Sequence, residues 1–159
     1  MLTNEIITSL SRETKKAGME LAAAIREGRA DSKSALVIAF EGDLGSGKTT
    51  FIQGLAAGLG VKENVLSPTF VIQKDFALPA RGGSAFGGKN YRDLYHIDAY
   101  RLKNPEELLE LGFGDLIKNP ENIIVIEWAD KVKKILPKNT IWIIFKNLGE
   151  SKRKIIYTL

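Results

Sequence analysis

The chain has 159 residues, 44% of them hydrophobic and 26% charged, with a formal net charge of +4 and no cysteine. That length suits one domain with a substantial core, and the composition is ordinary for a globular protein. The lack of cysteine excludes disulfides, thiol nucleophiles and Cys-based metal sites, and no apolar run approaches the ~20 residues that cross a bilayer.

Taken in chain order, Met1 to Glu5 carries neither a basic segment nor a long apolar core, so no secretory signal is expected and the cytoplasm is the expected location. Asn4 to Thr8 is strand-like. Ser9 or Ser11 suits a helix N-cap, with Glu13 and Thr14 in the first turn, and Ala17, Leu21, Ala24 and Ile25 recur at helical spacing to about Arg26. Gly28 to Ser32 reads as a loop. Ala35 to Phe40 is apolar and β-branched enough for a buried strand, and Thr50 to Ala57 continues as a helix to about Leu59. After a connector, Thr69 to Phe76 alternates like a strand. Pro79 to Asn90 is loop material expected to be mobile, and Tyr91 to Ile97 resumes a strand, so the two strands predict a long hairpin. Pro105 to Leu111 opens with proline and acids, as a helix start does. Ile123 to Ile126 suits a central parallel strand, Asp130 to Leu136 a short helix, and Thr140 to Phe145 with Lys154 to Tyr157 a carboxyl-terminal hairpin. No internal repeat or second domain is visible. The expectation is a single P-loop NTPase-like α/β domain over 1–159, with a mostly parallel central sheet, helices on both faces and antiparallel additions.

The most informative run lies between the second strand and its helix: Gly42-Asp43-Leu44-Gly45-Ser46-Gly47-Lys48-Thr49. A glycine-rich turn from strand to helix, closed by Lys-Thr, is the setting of a P-loop, whose backbone N–H groups surround nucleotide phosphates. Gly42, Gly45 and Gly47 allow positive φ and close approach of the backbone. Lys48 supplies a mobile charge for the β and γ oxygens. The Thr49 hydroxyl is placed to ligate Mg²⁺, and Thr50 to donate to the α-phosphate.

Such a loop holds phosphates but needs an acid near the metal. Glu127 ends the aliphatic run Ile123 to Ile126, and Asp98 ends Leu94 to Ile97; carboxylates at strand ends point into the crevice where α/β sheets bind ligands. His96, the one histidine, shares a strand face with Asp98, and reads equally as a pH-sensitive partner of the γ-phosphate region or as a packed strand residue. Trp128 either walls the nucleotide pocket or is buried against the sheet. The lysines of 131–138 and 146–154 suit solvated faces better than an RNA or acidic-protein contact, since no recognisable pattern of stacking aromatics accompanies them.

Together with Ser67-Pro68-Thr69-Phe70, Tyr95-His96-Ile97-Asp98-Ala99-Tyr100-Arg101-Leu102, Pro105 to Leu108, Leu111 to Asp115 and Ile126-Glu127-Trp128, in this order, the loop makes a recognisable set. The chain resembles the small bacterial P-loop ATPases called TsaE (YjeE family) from about residue 11 to Pro137. The resemblance implies binding of ATP and Mg²⁺ and slow hydrolysis of ATP, stimulated by partners, in making N6-threonylcarbamoyladenosine in tRNA. It implies Lys48, Asp98 and Glu127 as catalytic residues, Thr49 and Glu127 as metal ligands, Ser67, Pro68 and Thr69 as a switch-like loop, and Trp128 beside the nucleotide. The implied partners are TsaD, which performs the transfer, and its paralogue TsaB, with tRNA engaged indirectly or weakly and self-association left open. Two departures are Ser46, where most members have Ala, and the longer segment 79–90, read as an inert extension. The competing reading is a small-molecule P-loop kinase, for which Arg81, Arg92 and Arg101 are candidate lid residues. A GTPase fits less well, because Asn147 to Glu150 does not match an N-K-x-D run.

Overall fold

The structure, a computed structural model, describes residues 3–28, 33–79 and 90–158. Four strands form its parallel centre: β2 (Leu36–Glu41), β4 (Asp93–Asp98), β5 (Asn122–Glu127) and β6 (Ile141–Gly149). With β1 (Thr3–Thr8), β3 (Gln73–Ala77) and β7 (Lys152–Thr158) they make one seven-stranded sheet in the order β1-β7-β6-β2-β5-β4-β3. The outer pairs β1–β7, β6–β7 and β3–β4 are antiparallel. Every residue of β5 is buried, which is why Ile123 to Ile126 is an unbroken aliphatic run rather than an alternation.

Helices cover both faces, as the sequence predicts. On one face α1 (Ser11–Glu27) and α2 (Lys48–Leu59) pack over Ile38, Phe40, Val125 and Ile143. Phe40, Phe51 and Phe145 meet there edge to face or tilted, with ring centroids 5.7 to 6.3 Å apart. On the other face α3 (Pro105–Glu110), α4 (Phe113–Leu116) and a 3₁₀ segment (Ala129–Ile135) bury Leu108, Phe113 and Val132 against Val37, Ala39, Ile124 and Ile126. Asn104 caps α3 by accepting from the Glu107 N–H at 3.1 Å, and Pro105 occupies the first turn.

Three local expectations change. The N-cap of α1 is Leu10, not Ser9 or Ser11; Glu13 supplies the backward half of a capping box, its carboxylate accepting from the Ser9 and Leu10 N–H groups at 2.8 and 3.1 Å. The strand expected from Thr69 starts only at Gln73. Before it, the Val71 and Ile72 N–H groups close a turn onto the Pro68 carbonyl, and Ile72 sits at φ 67°. The helix expected at 130–136 is the tighter 3₁₀ form. Residues 80–89, within the expected mobile segment, and 29–32 lie outside the described residues.

Helices α1 and α2 approach closely enough that a Cβ at Gly54 would lie 1.9 Å from the Lys15 carbonyl oxygen. Both partners are backbone, so neither yields by rotating a side chain. Gly54→Ala is therefore expected to lower stability by about 1–3 kcal/mol, the usual penalty of overpacking. Urea unfolding checks this: a wild-type midpoint would mean the helices separate without cost.

Candidate functional site

The loop from Gly42 to Gly47 leaves β2 and enters α2 at Lys48. Gly42, Gly45 and Gly47 sit at φ 145°, 74° and 102°, a region that disfavours side chains. At Gly42 space forbids one as well, since a Cβ would lie 2.8 Å from Phe145 Cβ. Gly47 is the N-cap of α2, whose first turn carries no acid and no side-chain cap. The positive end of the helix dipole thus faces the cleft without a protein counter-charge of its own.

Lys48 is 4% exposed and folds back along the loop. Its Nζ donates to the carbonyls of Gly42 at 2.6 Å and Asp43 at 2.8 Å and lies 4.4 Å from the Trp128 ring centroid. Burial lowers its pKa from the ordinary lysine value, while Glu127, Asp98, Asp43 and Asp130 oppose that shift.

Parallel register brings the acids to this loop. Phe40 is level with Glu127, and Glu127 with Asp98, so the end of β2 and both carboxylates align at the carboxyl ends of adjacent strands. Thr49 Oγ1 donates to Glu127, lying 3.0 Å from each carboxylate oxygen. His96, fully buried on β4, places Nε2 2.8 Å from Glu127 Oε1. Its Nδ1 has no hydrogen-bond partner among the described residues. Of the two roles open to His96, the structure gives neither in pure form: the ring is packed, and it backs the Glu127 carboxylate from beneath.

Asp98 organises the other wall. Its Oδ2 accepts from the hydroxyls of Ser67 and Thr69, both at 2.7 Å, and its Oδ1 from the Tyr100 N–H at 2.8 Å. Pro68 holds the segment by accepting from Val71 and Ile72. Trp128, at φ 56°, is half-buried; its ring lies on Tyr100 with centroids 5.0 Å apart and lines the cleft.

These groups enclose a cavity of about 480 Å³. Leu44 to Thr50, Ser67, Thr69, Asp98, Glu127 and Trp128 line it, so most of the expected site residues converge. Gly42, Asp43 and Pro68 act through their carbonyls. Ser11, Tyr100 and Arg153 also line it and were not expected there. The Thr49 hydroxyl and Glu127 carboxylate are adjacent hard oxygen donors. Mg²⁺ typically takes only one or two protein carboxylates and completes its shell with phosphate and water, so this pair fits that ion. Among the described residues no group of three or more His, Cys, Asp or Glu is arranged as an all-protein metal cage. No described helix is long and apolar enough to cross a membrane.

The fold and cleft together define an open α/β protein whose site lies beyond the carboxyl ends of its parallel strands. The family model for "Threonylcarbamoyl adenosine biosynthesis protein TsaE" matches residues 8–155, and the chain belongs to the TsaE family. It is 35% identical over 122 residues to the tRNA threonylcarbamoyladenosine biosynthesis protein TsaE of Bacillus subtilis, covering 77% of this chain and 68% of that one. The Rickettsia bellii protein of the same name is 30% identical over 154 residues, covering 96% and 93%. The crystal structure of Bacillus subtilis YdiB superposes with a TM-score of 0.70 at 29% identity, covering 98% of this chain and 84% of that one.

Asp98 is the anchor that draws Ser67 and Thr69 to the cleft. Asp98→Ala is expected to raise amide exchange at residues 67 and 69–72 by about tenfold or more, because it removes both hydrogen bonds that tie Ser67 and Thr69 to the carboxylate. Wild-type exchange there would show that the segment is held by something else.

Proposed function

We propose that this chain is a Mg²⁺-dependent ATPase that serves tRNA threonylcarbamoyladenosine synthesis as an accessory to a TsaB–TsaD pair. The observation that carries the reading is the contact of Thr49 with both Glu127 oxygens at the mouth of the glycine loop, beside Lys48. The loop N–H groups and the start of α2 would receive the β- and γ-phosphates, and Lys48 would exchange its carbonyl partners for phosphate oxygens. Thr49 and Glu127 would hold Mg²⁺, which when bound neutralises charge developing on the β and γ oxygens. His96 would keep Glu127 oriented from behind. Asp98, with the Ser67 and Thr69 hydroxyls, would stand at the γ end and order both the switch-like segment and the attacking water. Trp128 would wall the nucleotide.

In this account the chain does not transfer the threonylcarbamoyl group; turnover of ATP resets the transferase complex between rounds. Leu66, Phe70 and Val71 are exposed beside Ser67 and Thr69, which suits a surface whose position reports the state of the site. The cytoplasm is the compartment that fits this work. Hydrolysis is favoured over a kinase because the described lid candidates are engaged elsewhere. Arg92 pairs with Glu121 at 3.3 Å, and Arg101 lies over Phe70 at 4.8 Å. Arg81 is outside the described residues. Of the lysines that an RNA would need, Lys154 pairs with Glu5 at 2.6 Å, Lys133 covers Trp142 and Lys131 donates to the Tyr100 carbonyl. The proposal does not call on direct tRNA contact.

Lys48→Ala is expected to abolish ATP binding in calorimetry. Glu127→Ala is expected to retain weakened binding and to lower kcat by about 10²–10³, the scale of losing one key electrostatic group. Phosphate release should rise when TsaB and TsaD are added. Wild-type turnover by Glu127→Ala, or transfer of phosphate to a metabolite, would contradict the reading.

A further inference from the structure

Strands β6, β7 and β1 carry apolar residues on both sides. Ile141 to Phe145, Ile155 to Tyr157 and Ile6-Ile7 are runs rather than alternations, which is the pattern of strands covered on both faces. One side is covered: Ile143, Phe145, Ile155 and Tyr157 are buried with α1 and α2. On the other side the layer of α3, α4 and the 3₁₀ segment reaches Trp142, which packs against it beneath Lys133. Past Trp142 the described helices leave the sheet bare. Ile144 and Ile156, directly opposite each other, belong to neither core and are only partly buried, and Ile7 is 63% exposed.

This bare floor is cationic. Lys146 and Lys154 stand directly opposite each other in the β6–β7 register, a costly placement for like charges. Glu5 answers Lys154 at 2.6 Å, but among the described residues no carboxylate pairs with Lys146. The complement stands on the same side of the sheet, on α3. Glu106, Leu109 and Glu110, at spacing i, i+3 and i+4, share one exposed helix face, and neither acid has an ion-pair partner among the described residues. Leu109 and the following Leu111 are 44% and 48% exposed.

The face is therefore a step. It is raised by a helix layer, about 10 Å thick, over β2, β5 and β4, and bare over β6, β7 and β1. A two-fold rotation about an axis along the strands lays one copy on another so that each helix layer lands on the other's bare strands, acid against lysine and leucine against isoleucine. The bare floor, three strands of about six residues, measures about 300 Å². Two floors and two helix tops bury on the order of 1,200 Å², the lower end of a specific interface, which suits a weak dimer.

We infer that this face binds a second copy of the chain in a two-fold dimer, Lys146 of each copy meeting Glu106 and Glu110 of the other. The contact uses nothing in the glycine-loop cleft, so it stands apart from the nucleotide reading.

Sedimentation equilibrium of the full chain, from micromolar to submillimolar concentration, tests it with wild type, Lys146→Glu, Glu110→Lys and an equimolar mixture of the two variants. Wild type should pass from monomer to dimer mass as concentration rises, less readily in high salt. Each variant alone should dimerise at least about tenfold more weakly, because like charges then face each other in both halves of the contact. The mixture should return to within about threefold of wild type, since the mixed dimer holds one native pair and one reversed pair. Neither variant should lose thermal stability as a monomer. Lys146→Glu relieves the opposition to Lys154, and a lysine at 110 suits the carboxyl end of α3. Wild type that stays monomeric throughout would overturn the inference and leave the face to a different protein. So would a dimer that both substitutions leave unchanged, which uses another surface, or a mixture that associates no better than either variant alone.

Discussion

The hydrogen bond between the Thr49 hydroxyl and the Glu127 carboxylate joins the two halves of the site. Thr49 belongs to the first turn of α2, so its place depends on the glycine loop that ends β2. Glu127 ends β5, so its place depends on the parallel register in the centre of the sheet. A slip of one residue between β2 and β5 would set Ile126 or Trp128 level with Phe40 in place of Glu127 and take the carboxylate from Thr49. His96 extends the same chain of contacts to β4, and through β4 to Asp98 two residues on. One hydroxyl–carboxylate contact thus records whether three strands and a helix are correctly assembled.

The site is also a concentration of buried charge. Lys48, Asp98 and Glu127 are each at most 4% exposed, and burying such groups is costly unless each finds partners. They do. Lys48 has two carbonyls, Asp98 has two hydroxyls and an N–H, and Glu127 has Thr49 and His96. Most of these partners lie on the loop, α2 or strand ends. The exception is the 67–72 segment, which reaches the cleft through its two hydroxyls while Phe70 and Val71 point to solvent. A rigid bed with one tethered, exposed segment is the arrangement expected where a bound phosphate must be read from outside.

What was legible in the sequence is what local pattern encodes. The glycine loop announces itself because strand, glycines, Lys48 and helix are contiguous. Glu127 and Asp98 could be picked out because each ends an aliphatic run, and a carboxylate there has a defined direction in an α/β sheet. Thr69 to Ile72 was misread because alternation suggests a strand, whereas the Pro68 carbonyl captures two N–H groups and forces Ile72 to positive φ. Tight local hydrogen bonding there outweighs β propensity. Leu10 carries no polar side chain to mark it as an N-cap; what fixes that end is Glu13, bonded back to the Ser9 and Leu10 N–H groups. Arg153 could not be seen at all. Nothing beside it in the chain points to a cleft more than a hundred residues away, and only the pairing of β7 with β1 and β6 delivers it to Gly47.

The central claim is that Thr49 and Glu127 close on a divalent ion while a triphosphate lies in the glycine loop. Crystals grown with Mn²⁺ in place of Mg²⁺ and a non-hydrolysable ATP analogue address it most directly, because anomalous scattering locates the ion independently of any assumed chemistry. The account predicts one anomalous peak within bonding distance of Thr49 Oγ1, on the Glu127 side of the loop, with phosphate oxygens completing its shell. A filled loop with the manganese elsewhere, and the Thr49–Glu127 contact intact beside it, would contradict the account.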